Sequence, residues 1–260
     1  MNKYAIILAA GKGTRMKTEL PKCAYPFCGK PMVEHIVDNL KECGVDETIV
    51  VVGYKKEKIE EILKGKAKLA LQEKQYGTGH AALCCEPYLK DKEGLCLVFP
   101  GDMPLVDEDI VNGLIEKHIQ NKNDLTVVTT ILDDPAAYGR IYRENGLIKK
   151  IIEYKDCNEE QKQIKEINSG LYCVDIKLMF EALHKVTNNN NSGEYYFTDI
   201  IEILGKNHRV DSYVVKDTYK LTGINDLTTL AKTEKIYLEN KNKILFLFLL
   251  LLNSSNISFT

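Results

Sequence analysis

Short apolar segments alternate with helix-like segments over the first 120 residues, and this alternation restricts the fold more than any other feature of the sequence. The apolar segments have the length of buried strands. Strands are predicted at residues 4–8, 48–52, 67–71 and 95–99, and helices at residues 31–43, 57–63 and 107–120. Such alternation favours a parallel sheet with helices on both faces. The sequence therefore predicts an α/β, Rossmann-like fold.

The pattern changes after residue 124, where strand-like segments follow one another. Strands are predicted at residues 125–132, 140–143, 147–153, 164–173 and 209–215, and helices at residues 176–186, 197–204 and 226 to about 238. Between the second and third of these strands, Asn145-Gly146 is typical of a tight hairpin turn. We therefore expect a mixed sheet, mostly parallel, with an antiparallel extension.

The composition is that of an ordinary soluble globular protein, with 44% hydrophobic and 28% charged residues. The 35 basic and 37 acidic residues leave a net charge of -2, which gives no overall attraction to nucleic acid or to an anionic membrane. Neither is expected as a partner, and any binding of phosphate must be local.

The eight cysteines are scattered through apolar stretches and no secretory leader precedes them, so we expect a reduced, cytoplasmic protein. The absence of a CxxC pair or a Cys/His cluster argues against structural zinc. Cys23 and Cys28 flank a basic loop and would be reactive if that loop lowers the pKa of their thiols. Packing as small hydrophobic residues is the commoner role of free cysteine.

The last 20 residues differ from the rest of the chain. Residues 244–252 are nine apolar residues without a break, about half of the ~20 needed to span a bilayer. A peripheral membrane contact, a surface that packs on a domain outside this chain and a non-native end are the three interpretations, of which the last two are favoured. We predict one domain over residues 1–238 and a linker remnant or non-native hydrophobic tail over residues 239–260.

The first loop, "LAAGKGTRM", follows the first strand and carries Gly11 and Gly13. Its spacing does not match a P-loop, which needs Gly-Lys-Ser/Thr. It does not match a dinucleotide fingerprint either, because Met16 stands at the third glycine position. What remains is a glycine turn whose backbone amides can face an anion. Basic side chains within reach, which make a polyphosphate the expected ligand, are Lys12, Arg15, Lys17 and Lys22.

Two further motifs, "QEKQYGTGHA" and "PGDMPL", follow the strands at residues 67–71 and 95–99. Ligands bind at the carboxyl ends of strands in open α/β sheets, so we expect the three loops to converge on one crevice. In "QEKQYGTGHA", Gly77 and Gly79 would allow close approach to a flat ligand. Gln72 and Gln75 would be partners for a nucleobase edge. A bare turn explains this motif equally well.

Asp102 follows the predicted strand at residues 95–99, and no basic neighbour is evident to pair with it. A carboxylate beside a basic phosphate loop suits a Mg²⁺ ion that bridges to phosphate oxygens. A lone aspartate can equally be a turn former.

The segments "DDPAAYGRI" and "EINSG", with Glu153 between them in sequence, place small and polar groups at strand ends: Gly139, Glu153 and Asn168. These groups could bind sugar hydroxyls or an amide. Hairpin turns and strand edges explain them equally well.

The motifs quoted above, together with "LPK", "EYKD", "NNNNSGEYYFTDII" and "GIND", occur in an order and at spacings that resemble one family over residues 3–238. That family is the uridylyltransferase (pyrophosphorylase) half of bacterial bifunctional N-acetylglucosamine-1-phosphate uridyltransferase / glucosamine-1-phosphate acetyltransferase. The resemblance implies a nucleotidyltransferase fold of the glycosyltransferase-A-like kind. It also implies an enzyme that joins UTP to N-acetylglucosamine 1-phosphate and releases pyrophosphate, for cell-wall and lipopolysaccharide precursors.

The resemblance also implies roles for particular residues. Ala9, Ala10, Gly11 and Gly13 would hold the triphosphate with the catalytic Arg15 and Lys22; Gln72, Gly77 and Thr78 would hold the uracil; Gly139, Glu153 and Asn168 would hold the sugar and its N-acetyl group; and Asp102 and Asn225 would hold Mg²⁺. The sugar phosphate is already an ionised nucleophile, so neither a general base nor a covalent enzyme intermediate is expected.

Two departures from the family bear on function. Pro100 stands where the family usually has an aromatic residue, so a stacking or hydroxyl contact would be lost. The β-helix acetyltransferase half is absent from this sequence, so acetyl-CoA chemistry is not expected, and a trimer is doubtful. The alternatives are a related sugar-nucleotide pyrophosphorylase with another nucleotide or sugar phosphate, and a non-catalytic remnant that binds nucleotide or serves as an interaction module.

Overall fold

A mixed sheet forms the centre of the computed structural model, which describes the backbone of residues 1–255 and the side chains of residues 1–243. Within that part, nine strands pair into the main sheet and two short ones form a separate hairpin. The strands are β1 Lys3–Leu8, β2 Pro26–Phe27, β3 Lys30–Pro31, β4 Glu47–Val52, β5 Lys68–Leu71, β6 Leu95–Pro100, β7 Leu125–Ile131, β8 Arg140–Glu144, β9 Leu147–Ile152, β10 Glu166–Asp175 and β11 Val210–Val214. The helices are α1 Met32–Glu42, α2 Lys56–Ile62, α3 Thr78–Leu83, α4 Glu86–Leu89, α5 Glu108–Gln120, α6 Glu159–Lys162, α7 Ile176–Leu183, α8 Asp199–Leu204 and α9 Leu227–Ser255.

The main sheet has the strand order β11-β7-β10-β6-β1-β4-β5, with β8 and β9 attached beside β10. The pairs β1–β4, β1–β6, β4–β5 and β7–β11 are parallel. Antiparallel pairing comes from β10, which runs against β6, β7 and β8, and from the β8–β9 hairpin. The predicted mixed α/β sheet is confirmed, and the reversed strand β10 lies inside it.

The two faces of the sheet carry separate apolar cores because neighbouring side chains in a strand point to opposite faces. In β1, Ile6 belongs to one core and Ile7 to the other. Helices α3, α7 and α8 contribute apolar residues to the first core, and α1, α2 and α5 to the second. Helices thus cover both faces and leave the strand ends open for binding.

A third, smaller core fastens the start of α9. Ile224 and Leu230 pack there with Phe27 of the β2–β3 hairpin. The Cys28 backbone amide also donates to Glu234 Oε1 at 2.7 Å. The start of α9 and the loop that precedes it are therefore held against the β2–β3 hairpin.

Most predicted elements are present with bounds shifted by up to three residues, and three differences from the prediction are informative. The last helix continues to Ser255, so the prediction that it ends near residue 238 is wrong; no glycine or proline stops it. Helix α8 begins at Asp199, two residues later than predicted, which leaves Phe197 and Thr198 in the preceding loop. The short helices α3, α4 and α6 were not predicted, because segments of four to six residues carry little periodicity.

Within the residues that the structure describes, no helix combines the length and the apolar character needed to cross a membrane. The interpretations of the hydrophobic tail depend on the side chains of residues 244–252 and on residues 256–260, which lie outside the described part.

Candidate active site

A cavity of about 370 Å³ opens at the carboxyl ends of β1, β5 and β6. The loops after these three strands all contribute to its lining, so their predicted convergence is confirmed. Predicted site residues that line the cavity are Ala10, Gly11, Lys22, Gln72, Gly77, Thr78, Asp102, Glu153 and Asn168. Pro100 lines it as well.

The other predicted site residues lie just behind this lining. Ala9 is buried beneath the loop, where its amide donates to the Val51 carbonyl at 3.0 Å. Gly139 lies behind Glu153, whose Oε2 would be 3.5 Å from a Cβ atom built there. Of the remaining three, Gly13 and Asn225 lie against Lys22, and Arg15 bonds to Asn225.

The first loop is shaped by a glycine that the Lys22 side chain requires. Gly13 has a φ of 61°, a left-handed conformation, and precedes a single helical turn over Thr14–Met16. A Cβ atom at Gly13 would collide with Cβ of Lys22. The loop therefore closes over Lys22 only because this position is glycine.

Lys22 is the centre of a polar cluster at the end of the cavity. Its ammonium group forms an ion pair with Asp102 Oδ2 and donates to Asn225 Oδ1 at 3.0 Å. Arg15 Nη2 donates to the same Asn225 oxygen at 2.8 Å. The expectation that Asp102 has no basic partner is wrong, because the fold brings Lys22, which lies 80 residues earlier in the sequence, into contact with it.

The same cluster has oxygen ligands that fit a small divalent cation. Asp102 Oδ2 and Asn225 Oδ1 both touch the Lys22 ammonium, so a carboxylate oxygen and an amide oxygen already face one cationic group. Asn225 Nδ2 donates to the Gly223 carbonyl at 3.2 Å, which keeps its oxygen turned toward the cluster. One carboxylate and one neutral oxygen, with water and phosphate completing the shell, is how proteins hold Mg²⁺. Among the described residues, no group of three or more His, Cys, Asp or Glu side chains gathers into a further metal site.

The glycines in the turn after β5 allow a close approach of the chain's own backbone. A Cβ atom on Gly77 would lie 2.5 Å from the Tyr195 carbonyl oxygen, and one on Gly79 would lie 3.1 Å from it. The side of these glycines on which a Cβ atom would lie is thus filled by the chain's own backbone, while Gly77 also lines the cavity. Gln72 is nearly fully buried and donates to the Gly77 carbonyl at 3.1 Å, which fixes the turn. Its role toward uracil stays a prediction.

The strand register explains why Gly139, Glu153 and Asn168 come together. Arg140 of β8 pairs with Ile152 of β9 on one side and with Ile167 of β10 on the other. The residues next to these three partners must therefore be neighbours in space. The Asn168 amide donates to the Gly139 carbonyl at 2.9 Å, consistent with this register.

Glu153 and Asn168 are both oriented by hydroxyl groups. Glu153 Oε1 accepts from Thr198 Oγ1 at 3.0 Å. Asn168 Nδ2 donates to the Tyr172 hydroxyl at 2.7 Å. Burial raises the pKa of the Glu153 carboxyl, the Thr198 hydrogen bond lowers it, and the nearby Asp156 raises it further. A half-buried carboxylate with one oxygen engaged can use the other to accept from a ligand hydroxyl.

The cysteines near the first loop are not activated. Burial raises the pKa of the Cys23 thiol to about 12, against a smaller lowering by Lys22. Burial also raises the pKa of the Cys28 thiol. The hypothesis that the basic loop lowers the pKa of these thiols is therefore wrong, because desolvation of the thiolate outweighs the nearby charge.

Two parts of the site have no role in the sequence analysis. The segment Tyr195–Thr198 contacts both the turn after β5 and Glu153. It belongs to a quoted motif, "NNNNSGEYYFTDII", but none of its residues was assigned a role. Arg140 is 2% exposed and binds backbone carbonyls before β8. The only sequence signal for Arg140 is an arginine at the start of a strand with an apolar neighbour, which does not reveal burial.

Asp199, beside Glu153, should make stability depend on pH. Burial raises the pKa of its carboxyl from 3.8 to about 6, with smaller contributions from Glu202 and Glu153. The folded chain binds this proton more tightly than the unfolded chain does. The contribution of the protonated carboxyl to the free energy of unfolding is therefore complete below the unfolded pKa and is lost as pH rises through the folded pKa. Asp199→Asn should therefore raise the free energy of unfolding at pH 8 by on the order of 1–2 kcal/mol, allowing for partial exposure.

The same substitution should have a much smaller effect near pH 4, where the carboxyl is protonated in the folded state and about half ionised in the unfolded state. Urea unfolding at the two pH values measures the difference, and Asp91→Asn, at an exposed position, is the matched control. An equal gain at both pH values would show that Asp199 is not held with a raised pKa.

Fold and site together define a nucleotidyltransferase, and the comparison with known sequences agrees. The chain belongs to the family of MobA-like NTP transferase domains, which matches residues 5–165.

Curated relatives extend the match over nearly the whole chain. It is 45% identical over 244 residues to the bifunctional protein GlmU of Acholeplasma laidlawii (strain PG-8A), which is 94% of this chain and 53% of that protein. It is 47% identical over 238 residues to the bifunctional protein GlmU of Geobacillus thermodenitrificans (strain NG80-2), which is 91% of this chain and 52% of that protein. The predicted resemblance is confirmed, and the chain spans about half the length of the curated relatives it matches.

Solved structures confirm the fold. A UDP-glucose pyrophosphorylase complexed with UDP-glucose has a TM-score of 0.70 at 22% identity, covering 92% of this chain and 100% of that one. A putative glucose-1-phosphate thymidylyltransferase from Bacillus anthracis has a TM-score of 0.71 at 20% identity, covering 90% of this chain and 94% of that one.

Proposed function

We propose that this chain transfers a uridylyl group from UTP to N-acetylglucosamine 1-phosphate, forming UDP-N-acetylglucosamine and pyrophosphate. The observation that carries the proposal is the cavity itself, which is lined by Lys22 and Asp102 of the polar cluster and also by Glu153 and Asn168. The product would serve as a precursor for cell wall and lipopolysaccharide, and the reaction would take place in the cytoplasm between small molecules, without nucleic acid.

The phosphate end of the cavity is supported by its charge. Lys22 and Arg15 come from one loop and meet at Asn225. Gly11 lies in the lining with nothing within 4 Å of a Cβ atom built there, so its backbone is accessible. Backbone amides and cations that converge in a partly buried site stabilise a triphosphate and the charge that develops on it.

The sugar end is supported by its polar groups. Glu153 keeps one carboxylate oxygen for a hydroxyl, and Asn168 keeps part of its amide for an N-acetyl group. The roles of Gly139, Glu153 and Asn168 toward the sugar, and of Gln72, Gly77 and Thr78 toward uracil, are part of this proposal.

The reaction needs alignment rather than acid-base catalysis. An oxygen of the sugar phosphate attacks the α-phosphorus of UTP, a new P–O bond forms, and the bond between the α- and β-phosphates breaks in line as pyrophosphate leaves. No proton is transferred, because the attacking phosphate is ionised and the leaving group is an anion. Lys22 and Arg15 would hold the departing phosphates, and the two ends of the cavity would hold the reactants in register.

Asp102 and Asn225 would hold Mg²⁺, which would supply charge neutralisation on the phosphates. Because Lys22 faces both oxygens, this side chain would turn toward the phosphates in the complete site.

Pyrophosphate release from UTP and Mg²⁺ tests the proposal, with N-acetylglucosamine 1-phosphate and glucose 1-phosphate run side by side on the full chain. The matched variants are Asp102→Ala, in the cluster, and Asp109→Ala, an exposed carboxylate in the first turn of α5. We expect strong preference for the N-acetyl sugar, loss of turnover in Asp102→Ala at limiting Mg²⁺, and no change in Asp109→Ala.

Preference for glucose 1-phosphate would instead support a related pyrophosphorylase, a result that Pro100 in the lining would help to explain. A folded chain that releases no pyrophosphate with either sugar phosphate would support the non-catalytic alternative. An Asp102→Ala variant with full activity at limiting Mg²⁺ would contradict the assigned metal site.

A further inference from the structure

The segment Tyr195–Thr198 lies between the two ends of the cavity. On one side, the Tyr195 amide donates to the Tyr76 carbonyl at 2.8 Å, and the Gly79 amide donates to the Tyr195 carbonyl at 2.8 Å. The Phe197 amide donates to Thr78 Oγ1 at 2.9 Å. Two residues of this segment, Tyr195 and Phe197, are thus bound to the turn that is assigned to the nucleotide.

On the other side, the same segment contacts the groups assigned to the sugar. Thr198 Oγ1 donates to Glu153 Oε1 at 3.0 Å. The Phe197 ring packs against the ring of Tyr172 at 4.8 Å, and Tyr172 in turn accepts from Asn168. Phe197, Thr198 and Tyr172 are all buried.

We propose that Thr198 is a positioning residue that orients Glu153 for the sugar, and that the segment Tyr195–Thr198 couples the nucleotide turn to the sugar end of the cavity. The proposal rests on the proposed function for the names of the two ligands, but the orientation of Glu153 stands on the contacts alone. Thr198 engages Oε1 and thereby leaves Oε2, on the side of Gly139, for the ligand.

The coupling follows from the shortness of the segment. Phe197 is fixed to Thr78 through its backbone, and its neighbour Thr198 is fixed to Glu153 through its side chain. A ligand that orders the Gly77–Gly79 turn therefore also orders the backbone that carries Thr198, so the second substrate meets a carboxylate that is already oriented.

Thr198→Val tests the positioning, because valine keeps the shape and removes the hydroxyl. We expect the KM for N-acetylglucosamine 1-phosphate to rise by about 10- to 100-fold, as for a lost hydrogen bond to a charged group, while the KM for UTP changes by less than about twofold. Thr198→Ser should restore the KM, since its hydroxyl can make the same bond. Thr130→Val is the matched control, because Thr130 is a buried threonine whose hydroxyl donates to the Val215 carbonyl at 2.7 Å, away from the cavity lining.

A double-mutant cycle separates positioning from general damage. In a Glu153→Ala background, Thr198→Val should cost nothing further, because the side chain that Thr198 orients is gone. Additive losses, an equal rise in the KM for both substrates, or no rescue by Thr198→Ser would each overturn the proposal.

A second measurement needs no substrate and works even if the proposed reaction fails. The pKa of Glu153, followed by carbon NMR of its carboxyl, should rise in Thr198→Val and stay unchanged in Thr198→Ser, because the hydroxyl hydrogen bond favours the ionised form. An unchanged pKa in Thr198→Val would contradict the positioning. If the pKa of Glu153 responds to the two substitutions as expected but the wild-type chain releases no pyrophosphate, only the proposed function is contradicted.

Discussion

Replacing Lys22 with alanine should reduce turnover by on the order of 100- to 1000-fold, the loss typical of removing one preorganised charge-stabilising group. Lys22 is the one side chain that bonds to both Asp102 and Asn225 within the described residues, and it lines the cavity. Its ammonium would act mainly on charge that develops as pyrophosphate leaves. We therefore expect kcat to fall more than the KM for UTP rises.

The matched control is Lys68→Ala, which also removes a lysine from an ion pair. Lys68 pairs with Glu47 at 2.6 Å, and both residues lie at the amino ends of their strands, opposite to the cavity. Lys68→Ala should leave kcat and both KM values unchanged. Steady-state kinetics on the two variants, with circular dichroism to verify folding, makes the comparison. Equal kinetics of Lys22→Ala and wild type would remove Lys22 from the proposed mechanism.

Replacing Arg140 with methionine should lower the free energy of unfolding by about 3–5 kcal/mol, because several carbonyls lose their donor at a cost of about 1–3 kcal/mol for each one left unsatisfied. Its guanidinium donates to the carbonyls of Ala136, at 2.9 Å, and of Tyr138, and makes longer bonds to those of Pro135 and Lys162. The Tyr154 ring lies 5.6 Å from it. Methionine fills a similar volume but leaves these carbonyls without a donor.

Urea unfolding followed by circular dichroism measures this loss, with Arg209→Met, at an exposed position, as the matched control. Arg140→Lys should be intermediate, because one ammonium group cannot reach carbonyls on several sides at once. Because Arg140 holds the loop that leads to Gly139, the methionine variant should also raise the KM for the sugar phosphate. A loss below about 1 kcal/mol would show that water replaces the guanidinium without cost.

The sequence predicted the parallel half of the sheet well because β1, β4 and β6 are continuous apolar segments that end in glycine or proline punctuation. It did not predict that β10 would insert between β6 and β7, since strand order depends on packing that no local pattern records. The end of α9 was predicted wrongly for a related reason. The helix continues through Asn240 and Asn242 without a residue that forces a stop.

The candidate site was predicted in part. Asp102 and the first loop follow from residue types at strand ends, and Asn225 followed only from the resemblance. The ion pair between Lys22 and Asp102 could not be predicted from the sequence, because the two residues are 80 positions apart and meet only in the folded chain. Thr198 was missed because a threonine at the start of a helix is usually a cap, whereas here its hydroxyl bonds to Glu153.

The eight free thiols make the chain its own probe of local opening. Six are buried, while Cys28 and Cys84 are partly exposed. Only the thiolate reacts, and burial raises the pKa of the Cys23 thiol to about 12, so a thiol reagent reaches the buried positions when the surrounding structure opens. Cys23 lines the cavity, whereas Cys96 lies in the central strand β6. The order in which the thiols are modified would therefore rank the layers of the molecule by how tightly each is held, with no label introduced.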